Sequence, residues 1–161
     1  MRWLRDFRVF LRILICAALG AMPSMAMGMD LVVKDLSAGT ETSYSEAELR
    51  ALNTVSLSTT TPWTEGVQDF VGTPLADIIG TERGEHQIRL TAINDYVVTI
   101  PASAVEEDYP IVAYERNSMP MSVRDKGPYW LILPFDRDES FMTESMMSRS
   151  IWQLVMIEII R

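Results

Sequence analysis

The chain has 161 residues, and its 22 acidic side chains outnumber its 14 Lys and Arg, which gives a formal charge of −8. A surface of that sign repels phosphate groups, so neither nucleic acid nor an anionic membrane is an expected partner. The only cysteine is Cys16. The rest of the chain therefore has no disulfide, no Cys-ligated metal and no thiol nucleophile.

Residues 1–26 have the pattern of a cleavable secretory signal. Four arginines precede an apolar run over 13–22, and the small-residue site Ser24-Met25-Ala26 follows it. The apolar run is about half of the roughly 20 residues that a spanning helix needs, which favours a signal peptide over a membrane anchor. The sequence predicts a signal peptide over 1–26, export to the periplasm, and one domain over 27–161 that is long enough to bury a core.

The first part of this domain combines strands with short helices. Residues 30–33 and 55–61 are predicted strands. Between them, Ser45 and Glu48 have the spacing of a capping box, which predicts a helix that ends near Leu52.

A second helix is predicted from Thr73-Pro74 to Gly80. Thr73 is a favoured N-cap residue, and Pro74 occupies the first helical position, where its missing N–H costs nothing. Glycine is common just beyond the last turn of a helix, so Gly80 is expected to end it.

The remainder is almost entirely β-rich. Asn94-Asp95 and Asn117-Ser118 are turn signals between strands, and 136–148 is predicted to be a long surface loop. The fold class is therefore α+β, with β-rich mixed sheets or a partial barrel and a few short helices. The predicted strands in this part cover 88–92, 96–100, 111–115, 120–124, 129–133 and 151–160.

Four separated stretches resemble one family: PWTEGVQDFVGTPLADII, LTAINDYVVTIP, KGPYWLILPFD and SRSIWQLVMIEI. Together they are similar to the oxidoreductase molybdopterin-binding domain of the sulfite oxidase type, in its small, secreted, single-domain form. Catalytic members ligate molybdenum through a cysteine on the strand before the Trp-containing stretch. Residues 56–61 here contain serine and threonine instead. A hydroxyl is a hard donor with a high pKa, so we expect no bound molybdenum.

Without the molybdenum-ligating cysteine, the feature that the resemblance still implies is a binding site for a pterin ring. A pterin ring is flat, and its 2-amino group and N3–H are parallel donors that one carboxylate can accept. Several candidates have a purely structural alternative: Trp63 and Trp130 as core residues, Asp95 as a turn residue, and Arg116 as an exposed charge. Phe70 and Trp152 are interpreted as core. The candidate ligand-binding residues are Trp63, Asn94, Asp95, Tyr96, Arg116 and Trp130.

Two functions are consistent with the sequence. The resemblance implies a non-catalytic periplasmic protein that binds a reduced pterin and acts as the partner of a membrane sensor, such as a diguanylate cyclase or a histidine kinase. The alternative is a small molybdopterin-dependent oxidoreductase. The missing thiol and the acidic composition favour the first function.

Overall fold

The computed structural model describes residues 28–80 and 85–161, so the predicted signal peptide lies outside the described residues. Within these ranges ten strands form one sheet. The strands are β1 (Leu31–Asp35), β2 (Thr40–Tyr44), β3 (Val55–Thr59), β4 (Gln68–Pro74), β5 (Gln87–Ala92), β6 (Val97–Pro101), β7 (Ile111–Arg116), β8 (Met119–Pro120), β9 (Tyr129–Ile132) and β10 (Trp152–Ile160).

The helices are few and short. None in the described ranges is long and apolar enough to cross a membrane. The α-helices are α1 (Glu46–Leu52), α2 (Leu75–Ile79) and α3 (Glu144–Met147), and single 3₁₀ turns cover Ala102–Ala104, Val123–Asp125 and Glu139–Met142.

Strand β10 is at the centre of the sheet because it pairs with three strands. The main order is β2-β1-β10-β9-β7-β4-β3, with β5 also on β10, β6 on β5 and β8 on β7. The β1–β10 pair is parallel, whereas β5 and β9 run antiparallel to β10, so the sheet is mixed. The β-rich, mixed architecture with short helices agrees with the prediction.

The local signals around α1 act as predicted. The Ser45 hydroxyl accepts from the Glu48 backbone N–H, and the Glu48 carboxylate accepts from the Ser45 N–H at 2.8 Å. Two backbone donors at the start of the helix are thereby satisfied. Leu49 then points into the core, where it is fully buried.

The predicted role of Thr73 as an N-cap is wrong. Residues 68–74 form β4, which lies between β3 and β7 in the sheet, and Pro74 is the residue that precedes α2. The Thr73 hydroxyl instead shares its proton between the carbonyl oxygens of Leu49 and Asn53, at 2.8 and 2.9 Å. Pairing with two neighbouring strands therefore outweighs the local helix-start signal, and Thr73 ties β4 to the end of α1.

The predicted surface loop over 136–148 is also partly wrong, because it contains a 3₁₀ turn and α3. Asp138 accepts from the Ser140 N–H at 2.8 Å, and the Thr143 hydroxyl accepts from the Met146 N–H at 3.4 Å. Phe141 is buried against Leu133 and Phe135. This segment therefore folds onto the sheet as one wall of the cavity described below.

Buried side chains form three clusters. The largest fills the space between the sheet and helices α1 and α2. A second surrounds Phe70 and Trp130, and a third contains Phe135 and Phe141. Trp63, on the segment that connects β3 to β4, packs against both of the smaller clusters. It therefore joins the sheet to the 139–147 segment.

Candidate functional site

A cavity of about 270 Å³ opens beside the first residue of β10. Its walls come from four places in the chain: the β3–β4 connection, the turn between β5 and β6, the segment after α3, and the start of β10. No acidic side chain is among the residues that line it. These residues are Trp63, Ala92, Asn94, Tyr96, Met147, Ser148, Ser150, Ile151 and Trp152.

Three indole rings form the apolar side of the site. The ring centroids of Trp63 and Trp152 are 5.4 Å apart with an interplanar angle of 69°, and Trp130 lies 6.0 Å from Trp63 and 6.2 Å from Trp152. Tilted and edge-to-face pairs at these distances are favourable for aromatic rings. Trp63 and Trp152 line the cavity, whereas Trp130 is fully buried beneath them.

Threonines fix the segment that carries Trp63. The buried Thr61 hydroxyl lies 2.7 Å from the Thr64 hydroxyl and accepts from the Trp63 N–H at 3.2 Å. At the preceding residue, Asp136 accepts from the backbone N–H of Thr60 at 2.6 Å and from its hydroxyl. Hydrogen bonds therefore hold the chain on both sides of Thr61, which sets the position of the Trp63 ring.

The pKa of Asp136 lies below its ordinary value, chiefly because the Thr60 hydroxyl and N–H donate to its carboxylate. A carboxyl group with a lowered folded-state pKa stabilises the fold above its unfolded-state pKa, and that contribution is lost as the pH falls through the folded-state value. The anchor of the Trp63 segment is therefore weakened in strong acid and is intact near neutral pH.

The turn between β5 and β6 supplies the polar side of the cavity. Asp95 has a left-handed backbone with φ of 63°, a conformation that Asn and Asp tolerate. Its N–H donates to the Ala92 carbonyl at 3.0 Å, and the Ala92 N–H donates to the Tyr96 carbonyl at 2.9 Å. The Asn94 side-chain oxygen accepts from the Tyr96 N–H at 3.3 Å, while its amide NH₂ makes no hydrogen bond to the described residues. Asn94 thus has free donors at the cavity.

Ser150 connects the cavity wall to the buried indole. Its hydroxyl accepts from Trp130 Nε1 at 3.0 Å and donates to the Leu131 carbonyl at 2.7 Å, and the residue is 2% exposed. Both polar partners are buried as well, so the serine satisfies groups that water cannot reach.

Ser150→Ala is expected to lower the free energy of unfolding by about 1–3 kcal/mol, because it leaves the Trp130 N–H and the Leu131 carbonyl without this partner. Urea unfolding measures the change. Ser148→Ala is the matched control: its exposed hydroxyl donates to the Ser145 carbonyl, so its effect should stay within about 0.5 kcal/mol. Equal stabilities for the two variants would contradict the assigned role of Ser150.

A backbone irregularity at Gln153 turns Trp152 towards the cavity. The pairing of β10 with β9 shifts register between Trp152 and Leu154, and Gln153 has a left-handed φ of 54°. The Gln153 N–H donates to the Lys126 carbonyl at 3.1 Å, and its carbonyl accepts from the Ile93 N–H at 2.9 Å. The irregular residue is thus held by two neighbouring segments.

Among the candidates predicted from the sequence, the structure brings Trp63, Asn94 and Tyr96 together in the cavity lining. Asp95 lies exposed in the turn between Asn94 and Tyr96. Trp130 lies beneath the lining.

Arg116 is not brought to the cavity: at the end of β7, it forms an ion pair with Asp125 at 2.9 Å.

Sequence reasoning missed part of the lining. Trp152, interpreted as core, is partly exposed and lines the cavity together with Met147, Ser148, Ser150 and Ile151. Their position depends on how the 139–151 segment folds back, for which the sequence has no local signal. The one indication was the stretch SRSIWQLVMIEI, which contributed to the resemblance.

Residues 56–61, where the resemblance in sequence places the family's molybdenum-ligating cysteine, carry hydroxyls that bond within the protein. The Thr59 hydroxyl donates to the Thr60 carbonyl and accepts from the Asp136 N–H, both at 3.2 Å. Across residues 28–80 and 85–161, no three His, Cys, Asp or Glu side chains are grouped in a way that could hold a metal ion. The absence of bound molybdenum stays a prediction.

Comparison with known proteins shows a fold that this chain shares with a solved structure. No protein-family model matches the sequence, and no curated protein matches it. Among solved structures, the chain is similar to the sulfane dehydrogenase SoxCD from Paracoccus pantotrophus, with a TM-score of 0.56 and 16% sequence identity. The similarity covers 81% of this chain but only 38% of that one. At this identity it shows a shared fold, and it does not specify a ligand.

Proposed function

We propose that this domain is a non-catalytic binding protein for a flat heterocycle, and specifically for a reduced pterin. The observation that carries the proposal is the cavity between Trp63, Trp152 and Tyr96, where aromatic rings stand beside the free amide donors of Asn94. Aromatic walls with a few placed polar groups are the usual composition of a site for a planar ligand.

The size of the cavity favours a small ligand. Its volume of about 270 Å³ is just below the range of about 300–1,000 Å³ that is typical of small-molecule sites. A single bicyclic ring with a short substituent suits this space better than a complete molybdopterin with its phosphate and metal. None of the lining residues is a cation that could neutralise a phosphate in direct contact.

The alternative, a small molybdopterin-dependent oxidoreductase, is favoured by one observation, which is the fold shared with a protein described as a dehydrogenase. Against it, the chain after Cys16 has no thiol, and Thr59 and Thr61 at the corresponding segment bond within the protein. A hydroxyl is a poor substitute for a thiolate on molybdenum. Binding without catalysis is therefore the function that we put first.

In this proposal the protein is periplasmic, and it reports the pterin to the extracytoplasmic domain of a membrane sensor. Support comes from the surface next to the cavity, where Ile93, Tyr96 and Val97 are large, exposed side chains. Tyr96 is 53% exposed and also lines the cavity, so a bound ring would change the surface that a partner contacts. Adjacent exposed apolar groups are typical of an interaction site.

The test is calorimetric titration with 6-methyltetrahydropterin under anaerobic conditions. Asp95 lies outside the lining, between Asn94 and Tyr96, and in this proposal its carboxylate accepts from a 2-amino edge that projects from the cavity towards the turn. Asp95→Asn should then weaken binding at least about tenfold, which is about 1.4 kcal/mol, because the carboxylate is replaced by a group that also donates. Asparagine tolerates the left-handed backbone at this position, so the turn should persist.

Arg116→Gln serves as the control, since Arg116 pairs with Asp125 and does not line the cavity, and it should bind like the wild type. If folded Asp95→Asn also binds like the wild type, Asp95 does not read the amino group. If the wild type binds no pterin, the proposed ligand is wrong.

A further inference from the structure

Most basic side chains in the described part of this acidic protein are paired with acids. Arg124, Lys126 and Arg149 differ, because they form no ion pair with a described residue. The paired cations are Lys34 with Glu41, Arg50 with Glu46 and Glu115, Arg89 with Glu158, Arg116 with Asp125, Arg137 with Asp108, and Arg161 with Asp35. An unpaired, half-buried cation in a protein of this charge calls for a physical account, and Lys126 is such a cation.

Lys126 contacts the indoles instead of an acid. Its ammonium nitrogen lies 4.4 Å from the ring centroid of Trp152 and 5.5 Å from that of Trp130. Both distances are within the roughly 6 Å at which a cation is attracted to the face of an aromatic ring. Trp152 lines the cavity and Lys126 does not, so the charge is outside the lining but next to one of its rings.

Backbone hydrogen bonds fix the position of the loop that carries Lys126. Lys126 has a left-handed φ of 70°, and its carbonyl accepts from the N–H of Gln153, the residue that follows Trp152. The Gln153 side chain donates to the Val123 carbonyl at 2.7 Å. The loop that carries Lys126 is thereby bonded to the strand that carries Trp152, which keeps the lysine beside the indole.

A cation over one face of an indole draws electron density to that face. The opposite face becomes less negative, and the positive charge also acts through the ring on whatever lies against it. This attraction is stronger in a partly dehydrated cavity than in water. No acid is among the lining residues, and Asp95 lies outside them in the turn between Asn94 and Tyr96, so no negative charge in the lining cancels the effect.

We propose that Lys126 is a specificity-determining residue that makes the cavity prefer a negatively charged flat ring over its neutral counterpart. This inference rests on the proposed function, because it concerns the ligand of the same cavity. It adds that the preferred ligand is negatively charged. It assigns this preference to Lys126, which acts through Trp152 without contacting the ligand.

The test compares two pterins of similar size at pH 7, the anionic 6-carboxypterin and the neutral 6-methylpterin, by calorimetric titration. The wild type should bind the anionic probe more tightly. Lys126→Met keeps the aliphatic stem on the indole but removes the charge. It should weaken the binding of the anionic probe at least about tenfold and the binding of the neutral probe less than about threefold. Lys126→Arg keeps the charge and should restore the preference.

Arg124→Met is the matched control, because Arg124 is an unpaired, exposed cation in the same loop that contacts neither indole; it should keep the preference. The inference is overturned if Lys126→Met weakens the binding of both probes equally, since that result indicates a packing role. It is overturned as well if Arg149→Met abolishes the preference for the anionic probe while Lys126→Met keeps it. It is also overturned if the wild type binds both probes equally, although the proposed function then stands. Binding of neither probe overturns the inference, and the proposed function is then decided by the separate titration with 6-methyltetrahydropterin.

Discussion

Replacing Trp63 with alanine is expected to weaken the binding of a reduced pterin at least about 30-fold, or about 2 kcal/mol. The same change should lower the free energy of unfolding by about 2–4 kcal/mol. Both effects follow from the position of the ring, which lines the cavity and also contacts Trp130, Phe135 and Trp152 at centroid distances of 6.0, 6.0 and 5.4 Å. Its loss removes a stacking surface and leaves a gap between two buried clusters.

The two effects are separable by experiment. Urea unfolding gives the stability of Trp63→Ala, and calorimetry with 6-methyltetrahydropterin is done where the variant is still folded. Trp63→Phe is the matched control, because it keeps an aromatic ring in contact with its neighbours. It should lose clearly less stability and clearly less pterin affinity than Trp63→Ala. A folded Trp63→Ala that binds the pterin like the wild type would remove Trp63 from the site.

Gly72→Ala is expected to lower the free energy of unfolding by about 3 kcal/mol or more. A Cβ atom at Gly72 would lie 2.5 Å from the Val112 carbonyl oxygen and 2.7 Å from the Ala113 Cα, both of them backbone atoms of the neighbouring strand β7. Backbone in the middle of a sheet cannot move aside without loss of strand pairing, so the added methyl forces β4 and β7 apart.

Thermal or urea unfolding measures this change, with Gly28→Ala as the control. Gly28 has no atom within 4 Å of an added Cβ, so its substitution should change stability by less than about 0.5 kcal/mol. Similar stabilities for the two variants would show that β4 and β7 do not approach as closely as described.

Elements with strong local signals were predictable from the sequence. The capping box of Ser45 and Glu48 produced α1, and the Asn117-Ser118 turn joins β7 to β8 with positive φ at both residues. Strand β4 was not predictable, because Thr73-Pro74 has the local pattern of a helix start, and only pairing with β3 and β7 makes it a strand.

Residues of the cavity lining were predictable where a side chain suited to ligand binding also lies in a turn or connection. Trp63, Asn94 and Tyr96 lie at turns or connections, where side chains are free to line a cavity, and the structure places all three in its lining. Trp152 lies within an apolar stretch that is typical of an interior strand, and its exposure depends on the left-handed backbone of Gln153. A non-glycine residue in that conformation has no local sequence signal, since tertiary hydrogen bonds impose it.

Whether the cavity holds a metal-free pterin is tested by analysis of the protein isolated from cells that make both pterins and molybdenum cofactor. Mass spectrometry of the released small molecules and elemental analysis are done on the same preparation. We expect a reduced pterin in near-stoichiometric amount and no molybdenum. Stoichiometric molybdenum together with a molybdopterin would contradict a non-catalytic binding function and would favour the oxidoreductase instead.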